Sequence, residues 1–573
     1  MSKPNYQYNM ISTEKSECKT ELVSDFSKKY MEAGNKAVFW NELRTNDPMC
    51  KEYIDYVESL ECNHSYQQDN PILQTDSYKG SQFNMFNDVK PDKNGDKQRL
   101  VDMYAFIEPR KGARDPYIVV AGTQRIANTL ATIRLTEKHI MEAIWFYSRH
   151  FSTPTHSGKY HFNPLPWLKV VFEYNGCLPL KLSAIPEGTI VPVAVPICTL
   201  ESTDEDCAQL VSHFEGLVQK AYWYPSTVAT NGLGFSKVIK DALKTTASPE
   251  VMNGWLPFAI QDFGYRGCTS EDAAIIGGGA ALYVTMGSDT IPAIVDTMIN
   301  SRTLNEMAGY SVAACEHNQA FSRGRDGEFD FIENLLEVYP NGILSVVADT
   351  FDLRKNVETV TSGKLRDLIM TRDGTYVIRP DSQLLNDDGS EMSPAETIST
   401  IFSIMGKNLE QFITVNNRGF KVLPKQYKVI YGDGLNIPKI KDILDYMVRD
   451  GWCATNIIFG IGGNLLQNIN RDTERFAMKS SQQVFEITNI DGSVRKEVRN
   501  VGKETPGKES KRGKFHVGCI DGTIQCNDIN DPKVIGIPNM LVHYCINGNI
   551  CNSFDNINTI RDRVNQYREL YGI

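Results

Sequence analysis

A parallel α/β barrel joined to a second, β-rich domain is the fold class that the sequence predicts, on three observations. Between about residues 255 and 470, short apolar runs alternate with helix-patterned segments. Those runs end, one after another, in Gly, Asp, Arg or His. Turn-rich charged segments flank the strand-like RLVDMYAFIE at 99–108, which marks a separate, partly β region at 86–116. Strand, polar tip, helix, strand is the order of a parallel α/β structure, and several polar tips in succession favour a barrel with its site at the C-terminal strand ends. An open doubly wound sheet also places ligands there and stays open on pattern alone.

The elements follow in order. Leu22, Val23, Phe26 and Tyr30, then Met49, Tyr53, Val57 and Leu60, recur at helical spacing, which predicts two short helices in an N-terminal appendage of about 70 residues. Leu210, Val211, Phe214, Leu217, Val218 and Ala221 predict an amphipathic helix over 205–222, with Pro225 as its stop. GILSVVADT places Asp349 after a buried-strand run, TYVIRPDS does the same for Arg379 and Asp381, and YKVIYGDG ends in Gly432, Asp433 and Gly434. NIIFGIGG ends in Gly460, Gly462 and Gly463. Between the last two, Ile440, Ile443, Leu444, Met447 and Val448 share a helical face, and Gly451 follows as a stop. The domain division expected is 1–70 as the appendage, 226–474 as the barrel, and 71–225 with 475–573 as the β-rich domain.

Composition narrows the function. In 573 residues, 60 Lys and Arg stand against 70 Asp and Glu, a formal charge of −10, so any anion site has to be local. The start has no apolar leader core, and no run of about 18 apolar residues occurs, which predicts a soluble, unexported chain. Thirteen cysteines without CxxC pairs, and no His/Cys cluster at zinc spacing, predict reduced thiols in a cytoplasm.

Several strand tips carry chemistry. GIGGNLLQNINRD leads from a strand towards a predicted helix, where glycine N–H groups can approach a phosphate; it also reads as an ordinary turn. Arg471 lies roughly two helical turns further on. Arg379-Pro380-Asp381 joins a phosphate-binding fork to a carboxylate suited to sugar hydroxyls or a magnesium shell. Asp433 can accept from a ribose hydroxyl, although GDG equally makes a tight turn. Phe263 beside Arg266 offers a ring face and a cation, while Phe263 by itself fits a core. His317 ends the run YSVAACEH, where an imidazole serves as nucleophile, phosphate ligand or plain structural group. Residues 495–514 hold eight Lys or Arg against three Glu, a mobile basic loop on this reading, with Lys503 and Lys508 candidates to meet a polyphosphate.

Taken together, TDSYKGSQF (75–83), WYPSTVATN (223–231), DFGYRG (262–267), GSDT (287–290), YSVAACEH (310–317), SVVADTFD (345–352), IRPDS (378–382), YGDG (431–434) and FGIGGNLLQ (459–467) resemble, in the same order, nicotinamide phosphoribosyltransferases. The resemblance runs from about residue 71 to the C-terminus. It implies an irregular α/β barrel, a β-rich domain built from both chain ends, and a homodimer with sites at its interface. It implies transfer of phosphoribose from phosphoribosyl pyrophosphate, with Mg²⁺, to nicotinamide, giving nicotinamide mononucleotide and pyrophosphate in NAD salvage.

Carried over by motif, Phe263 resembles the ring-stacking residue, Tyr78 its counterpart from the other subunit, and Asp289 the acceptor for the carboxamide. Arg379 and Arg266 would hold pyrophosphate or phosphate, Asp381, Gly432 and Asp433 the ribose, and Gly462 and Gly463 the 5′-phosphate. Arg471, Lys479, Arg110, Lys503 and Lys508 would add cations. His317 resembles a histidine phosphorylated by ATP, oriented by Asp349. Gln383, Ile461 and Asn464 depart from the family pattern. The competing readings are a nicotinate-using relative, which Asp289 opposes by charge, and a non-catalytic nicotinamide-binding protein.

Overall fold

The computed structural model describes residues 29, 32–36, 38–40, 47–59, 70–301, 304–505 and 509–573. Seven strands form one parallel sheet: β1 (Ile260–Asp262), β2 (Gly287–Ser288), β3 (Ala313–Ala314), β4 (Asn341–Val347), β5 (Asp373–Arg379), β6 (Tyr427–Tyr431) and β7 (Ile457–Ile461). Their order is β2-β1-β7-β6-β5-β4-β3, and every pairing is parallel. Each strand therefore lies beside its neighbour in sequence, with β7 returning to β1, and the sheet curls into a barrel whose seam falls between β2 and β3. Gly287 and Tyr310 form a single parallel bridge across that seam, where the Ser288 N–H donates to the Tyr310 carbonyl at 3.0 Å.

Helices cover the barrel because each carries one apolar face. In the helix Ile437–Arg449, Ile440, Ile443, Leu444 and Met447 are buried in the same cluster as Tyr427, Val429 and Tyr431 of β6. Gly451 follows with φ +75°, the left-handed conformation that ends a helix at little cost for glycine. The seven-stranded β7-to-β1 closure leaves all strand C-termini on one rim.

A second sheet is antiparallel, in the order Val494–Asn500, Phe476–Thr488, Lys97–Pro109, Cys198–Ser202, Leu180–Ala184, Val542–Ile546 and Asn549–Ile550. Its central pairing joins residues 97–109 to 476–488, so segments from either side of the barrel in sequence are hydrogen-bonded together. The described part of the N-terminal segment belongs to this unit's core. Tyr53, Ile54 and Val57 of the helix Asp47–Ser59, together with Trp40, are buried in the cluster that includes Trp167 and Phe83. Lys159 fastens the same helix through Asp55 and, at 2.7 Å, Glu58. Leu22, Val23, Phe26, Tyr30 and Leu60 lie outside the described residues.

Three local expectations are corrected. Pro225 does not stop a helix: residues Leu210–His213 form a short turn, and one helix then runs from Glu215 to Thr246 with Pro225 inside it. Proline lacks the N–H that the Ala221 carbonyl, four residues earlier, would accept from. That carbonyl turns instead towards Gly122, where an added Cβ would stand 1.9 Å from its oxygen. Residues 494–500 are not loop but the edge strand of the antiparallel sheet, with Arg499 bonded to Gln98 and Glu497. Alternate side chains of an extended strand point one way, so closely spaced cations can be spread and paired there. Finally, the segment after GIGG is helical only over Gly463–Leu466, and Arg471 sits in a turn beyond it.

Gly122 is held at φ +105° in addition to its contact with Ala221. Gly122→Ala is expected to destabilise the fold by at least about 2 kcal/mol, whereas Pro225→Ala, which restores a helix donor, should change stability little. Urea unfolding of the two variants checks this; a neutral Gly122→Ala would contradict the placement of the kinked helix.

Candidate active site

The barrel rim gathers the side chains that follow its strands. Phe263 to Arg266 follow β1, Asp289 follows β2, His317 lies just beyond β3, and Asp349 follows β4. Arg379 ends β5 with Asp381 two residues on, Gly432 and Asp433 follow β6, and Gly462 and Gly463 follow β7. A parallel barrel delivers all of them to the same face.

The turn after β1 is fixed by Asp262, which is 0% exposed. Its carboxylate accepts from the Gly264 N–H at 2.8 Å, the Thr290 hydroxyl at 2.8 Å and the Ser288 hydroxyl at 3.2 Å, while its carbonyl accepts from the Asp289 N–H at 2.9 Å. Burial pushes its carboxyl above the ordinary range, with those donors and the neighbouring Asp289 acting after it. The sequence reading passed over Asp262, although it opens the quoted DFGYRG motif. A carboxylate ending a strand opposite a Ser-Asp-Thr turn was the signal available.

Phe263 lies against bare backbone. A Cβ on Gly460 would stand 2.2 Å from its ring, and one on Gly432 would stand 3.7 Å away, so the ring is laid over the tips of β7 and β6 in space that only glycine leaves at position 460. Asp289 is exposed at the next tip, and the Ser311 hydroxyl donates to its carboxylate. The site thus sets an aromatic face near a carboxylate, both tied to Asp262.

On the opposite strands the groups are ionic. His317 Nε2 lies 3.0 Å from Asp349 Oδ1, with the imidazole partly open and Asp349 largely buried. A carboxylate accepting from Nε2–H leaves Nδ1 with the lone pair. Arg379 has a buried Nε without a hydrogen-bond partner among the described residues. Arg266 is nearly free in solvent, at 87% side-chain exposure, with Glu316 at 3.7 Å. Gln383, one of the departures from the family pattern, donates to Asp433 at 2.6 Å and to the Tyr431 hydroxyl at 3.1 Å. Burial, aided by the carboxylates of Asp433, Asp381 and Asp349, pushes that phenol up to about 12. Asn464, another departure, donates to the Leu435 carbonyl at 2.7 Å and so ties the GIGG turn to the β6 tip.

The other expected residues make contacts of their own or are exposed. Tyr78 lies on the 3₁₀ segment Ser77–Met85 at 54% exposure, anchored through Lys79, which bonds Glu215 and Ser212. Among the described residues no ring contact or hydrogen bond joins it to Phe263. Lys479 pairs with buried Glu108 at 3.5 Å and shares it with Lys511 at 2.6 Å. Arg110 donates to the Arg475 carbonyl at 2.9 Å, Arg471 pairs with Asp472 at 3.1 Å, and Lys503 is exposed. Lys508 lies outside the described residues.

The C-terminal rim of a curled parallel barrel thus carries an aromatic seat, a carboxylate and two arginines, one with an unpartnered Nε and one largely exposed, a set suited to a flat, anionic ligand. Residues 258–524 match the nicotinate phosphoribosyltransferase (NAPRTase) family, and residues 70–182 match the nicotinamide phosphoribosyltransferase N-terminal domain. A nicotinamide phosphoribosyltransferase of Xanthomonas campestris pv. campestris is 32% identical over 450 residues, covering 78% of this chain and 87% of that protein. One of Mycoplasma pneumoniae is 29% identical over 346 residues, 59% of this chain and 71% of that protein. In fold, the crystal structure of nicotinate-nucleotide pyrophosphorylase from Pyrococcus furiosus aligns with a TM-score of 0.52 over 90% of this chain and 99% of that one, at 15% identity. The chain belongs to the nicotinamide phosphoribosyltransferase family.

One buried acid outside the rim is invisible in the sequence pattern. Glu474, 0% exposed, accepts from the Asp115 N–H at 3.2 Å and pairs with Arg114 at 3.1 Å. Burial and the nearby Asp115 carboxylate hold it well above its ordinary value of 4.5. The folded chain therefore keeps a proton that the unfolded chain releases, and stability should fall as pH rises from about 4.5 to the raised value. Glu474→Gln is expected to flatten that fall and to be the more stable protein above neutrality. Urea midpoints at pH 5.5 and 8 check it; equal slopes in both proteins would contradict the assignment.

Proposed function

We propose that this chain joins nicotinamide to 5-phosphoribosyl 1-pyrophosphate, giving nicotinamide mononucleotide and pyrophosphate. The observation that carries the reading is the pairing of Phe263, laid flat over glycine backbone, with Asp289 on the adjoining tip. A flat heteroaromatic ring stacks on the first, and a carboxamide N–H₂ donates to the second. Nicotinate would bring a carboxylate against Asp289, which charge repulsion opposes.

In this reading the pyridine nitrogen attacks C1 of the ribose as the bond from C1 to the pyrophosphate oxygen breaks. Positive charge grows on the sugar and negative charge on the leaving group. Arg379, with its unpaired Nε, and Arg266, exposed beside Glu316, would face the leaving pyrophosphate. Asp381, Gly432 and Asp433 address the ribose, with Asp433 steadied by Gln383. The N–H groups of Gly462 and Gly463 receive the 5′-phosphate, and Arg471 adds a cation. Catalysis is then chiefly positioning and electrostatic stabilisation. Asp381 is the candidate to hold the outer shell of a Mg²⁺ ion, which would neutralise charge on the pyrophosphate.

We extend the proposal to a homodimer. Tyr78 is exposed and far along the chain from the rim it resembles serving, and Ile291, Val295 and Ile299 leave an apolar stripe, 49 to 70% exposed, on the helix that follows Asp289. A second copy covering that stripe would bring its own Tyr78 to the nicotinamide, and Arg110, Lys479, Lys503 and Lys508 to the phosphates. His317, with Asp349 on one nitrogen, is assigned as the acceptor of a phosphoryl group from ATP that couples hydrolysis to synthesis. Among the described residues no helix is long and apolar enough to cross a membrane, and the ten cysteines whose side chains are described are free thiols, in keeping with a cytoplasmic enzyme.

Asp289→Ser is expected to lower kcat/KM for nicotinamide roughly 100-fold, the loss of a charged hydrogen bond, while the melting temperature holds. Unchanged nicotinamide kinetics would remove Asp289 from the site. His317→Ala is expected to retain transfer and lose the associated ATP hydrolysis; hydrolysis that persists would place the phosphate acceptor elsewhere.

A further inference from the structure

Gln383, one of the positions at which the chain departs from the family pattern, sits among the groups proposed for the ribose with part of its amide unused. The backbone beside it is fixed: the Leu384 N–H donates to the hydroxyl of buried Thr397 at 3.1 Å, and the Leu384 carbonyl accepts from the Met392 N–H at 2.8 Å. Thr397 belongs to the helix Pro394–Asn408. The half-buried side chain places its amide nitrogen 2.6 Å from Asp433 Oδ2 and 3.1 Å from the Tyr431 hydroxyl. An ionised carboxylate can only accept, so the nitrogen is the atom that faces Asp433, and both of its hydrogens are engaged. Gln383 Oε1 and Asp433 Oδ1 make no hydrogen bond among the described residues. The Tyr431 phenol, 0% exposed, is also acted on by the Asp381 carboxylate, which puts a third acceptor beside the same cluster.

We propose that Gln383 is itself a ribose-binding residue: with its N–H groups locked on Asp433 and Tyr431, its amide oxygen accepts a hydrogen bond from one of the two neighbouring hydroxyls of the phosphoribosyl substrate. This rests on the phosphoribosyl-transfer reading and deepens it, since there Gln383 only steadies Asp433. Tyr431 is too buried to meet the sugar and acts as a positioning residue for the amide.

Gln383 Oε1, Asp433 Oδ1 and the Asp381 carboxylate all accept, so the cluster suits a partner that can donate to it from more than one hydroxyl. A sugar lacking one of those hydroxyls would leave an acceptor unpaired, which is how a polar site rejects the analogue without the group. The amide also supplies its acceptor without charge. A third carboxylate in its place would repel Asp433, Asp381 and the phosphates of the substrate together. Because both amide hydrogens are already held, the oxygen is oriented before the sugar arrives and little freedom is lost on binding.

The test measures, by calorimetry with Mg²⁺ present, the binding of phosphoribosyl pyrophosphate, ribose 5-phosphate and pyrophosphate to the full chain and to Gln383→Met, Gln383→Asn, Asp433→Ala and the double variant Gln383→Met with Asp433→Ala. Gln383→Met keeps the bulk and removes the amide, and is expected to weaken both ribose ligands about tenfold, the worth of one hydrogen bond, at an unchanged melting temperature. Pyrophosphate, which has no ribose, should bind as before. Gln383→Asn, one methylene short, should behave as Gln383→Met does. On the Asp433→Ala background, where Tyr431 still holds the amide, Gln383→Met should again weaken ribose 5-phosphate severalfold. No further loss on that background would reduce Gln383 to a support for Asp433 and overturn the proposal. So would unchanged binding of the ribose ligands in Gln383→Met, or an equal loss for pyrophosphate. Ribose ligands bound with the predicted dependence on Gln383, by a chain that transfers nothing to nicotinamide, would keep the contact and remove the activity. Failure of the wild-type chain to bind either ribose ligand would overturn both.

Discussion

The active rim depends on one buried carboxylate. Asp262 ends β1, is closed off from solvent, and accepts three hydrogen bonds from the two turns that follow β1 and β2. An unpaired carboxylate in that position would be strongly unfavourable, so the donors on both turns are drawn to it. The result is a fixed relation between Phe263, which leaves the first turn, and Asp289, which leaves the second. Its own carbonyl accepting the Asp289 N–H adds a backbone restraint to the same link. A ligand that stacks on one and hydrogen-bonds to the other then meets a prearranged pair rather than two adaptable loops.

Glycine serves the same end on the neighbouring strands. The Phe263 ring occupies the volume a side chain at 460 would need, and it comes close to the β6 tip at Gly432. The polar half of the rim is organised differently, through side chains: Gln383 clamps Asp433, Asp349 holds His317, and Asn464 ties the GIGG turn to the β6 end. Where a polyphosphate is proposed to sit, Arg379 keeps an unpartnered Nε and Arg266 is 87% exposed. On a chain of net charge −10, with Asp289, Asp349, Asp381 and Asp433 on the same rim, Arg379 and Arg266 are the local cations that a highly anionic substrate would meet.

The sequence made the barrel readable because parallel strands buried on both faces give short apolar runs, and the polar tips mark where each run stops. Asp349, Arg379, Asp433 and Gly462 all stood at such ends and all fall on the rim. Pro225 reads as a stop because its penalty is met 103 residues away, in the space beside Gly122, which no local rule contains. The cations at 495 to 499 read as loop in the sequence because their partners, Glu205, Gln98 and Asp96, lie on distant segments. Asp262 escaped notice since its importance comes from burial, which composition does not reveal. Gln383 was visible as a departure, yet its bond to Asp433 across 50 residues became apparent only in three dimensions.

The measurement that bears most directly on the account is product formation by the purified chain with phosphoribosyl pyrophosphate and Mg²⁺, offered nicotinamide in one reaction and nicotinate in another, with the mononucleotides resolved by mass. The account predicts nicotinamide mononucleotide from the first and no product from the second, because Asp289 accepts a carboxamide and repels a carboxylate. Product from nicotinate, or from neither substrate, would contradict it.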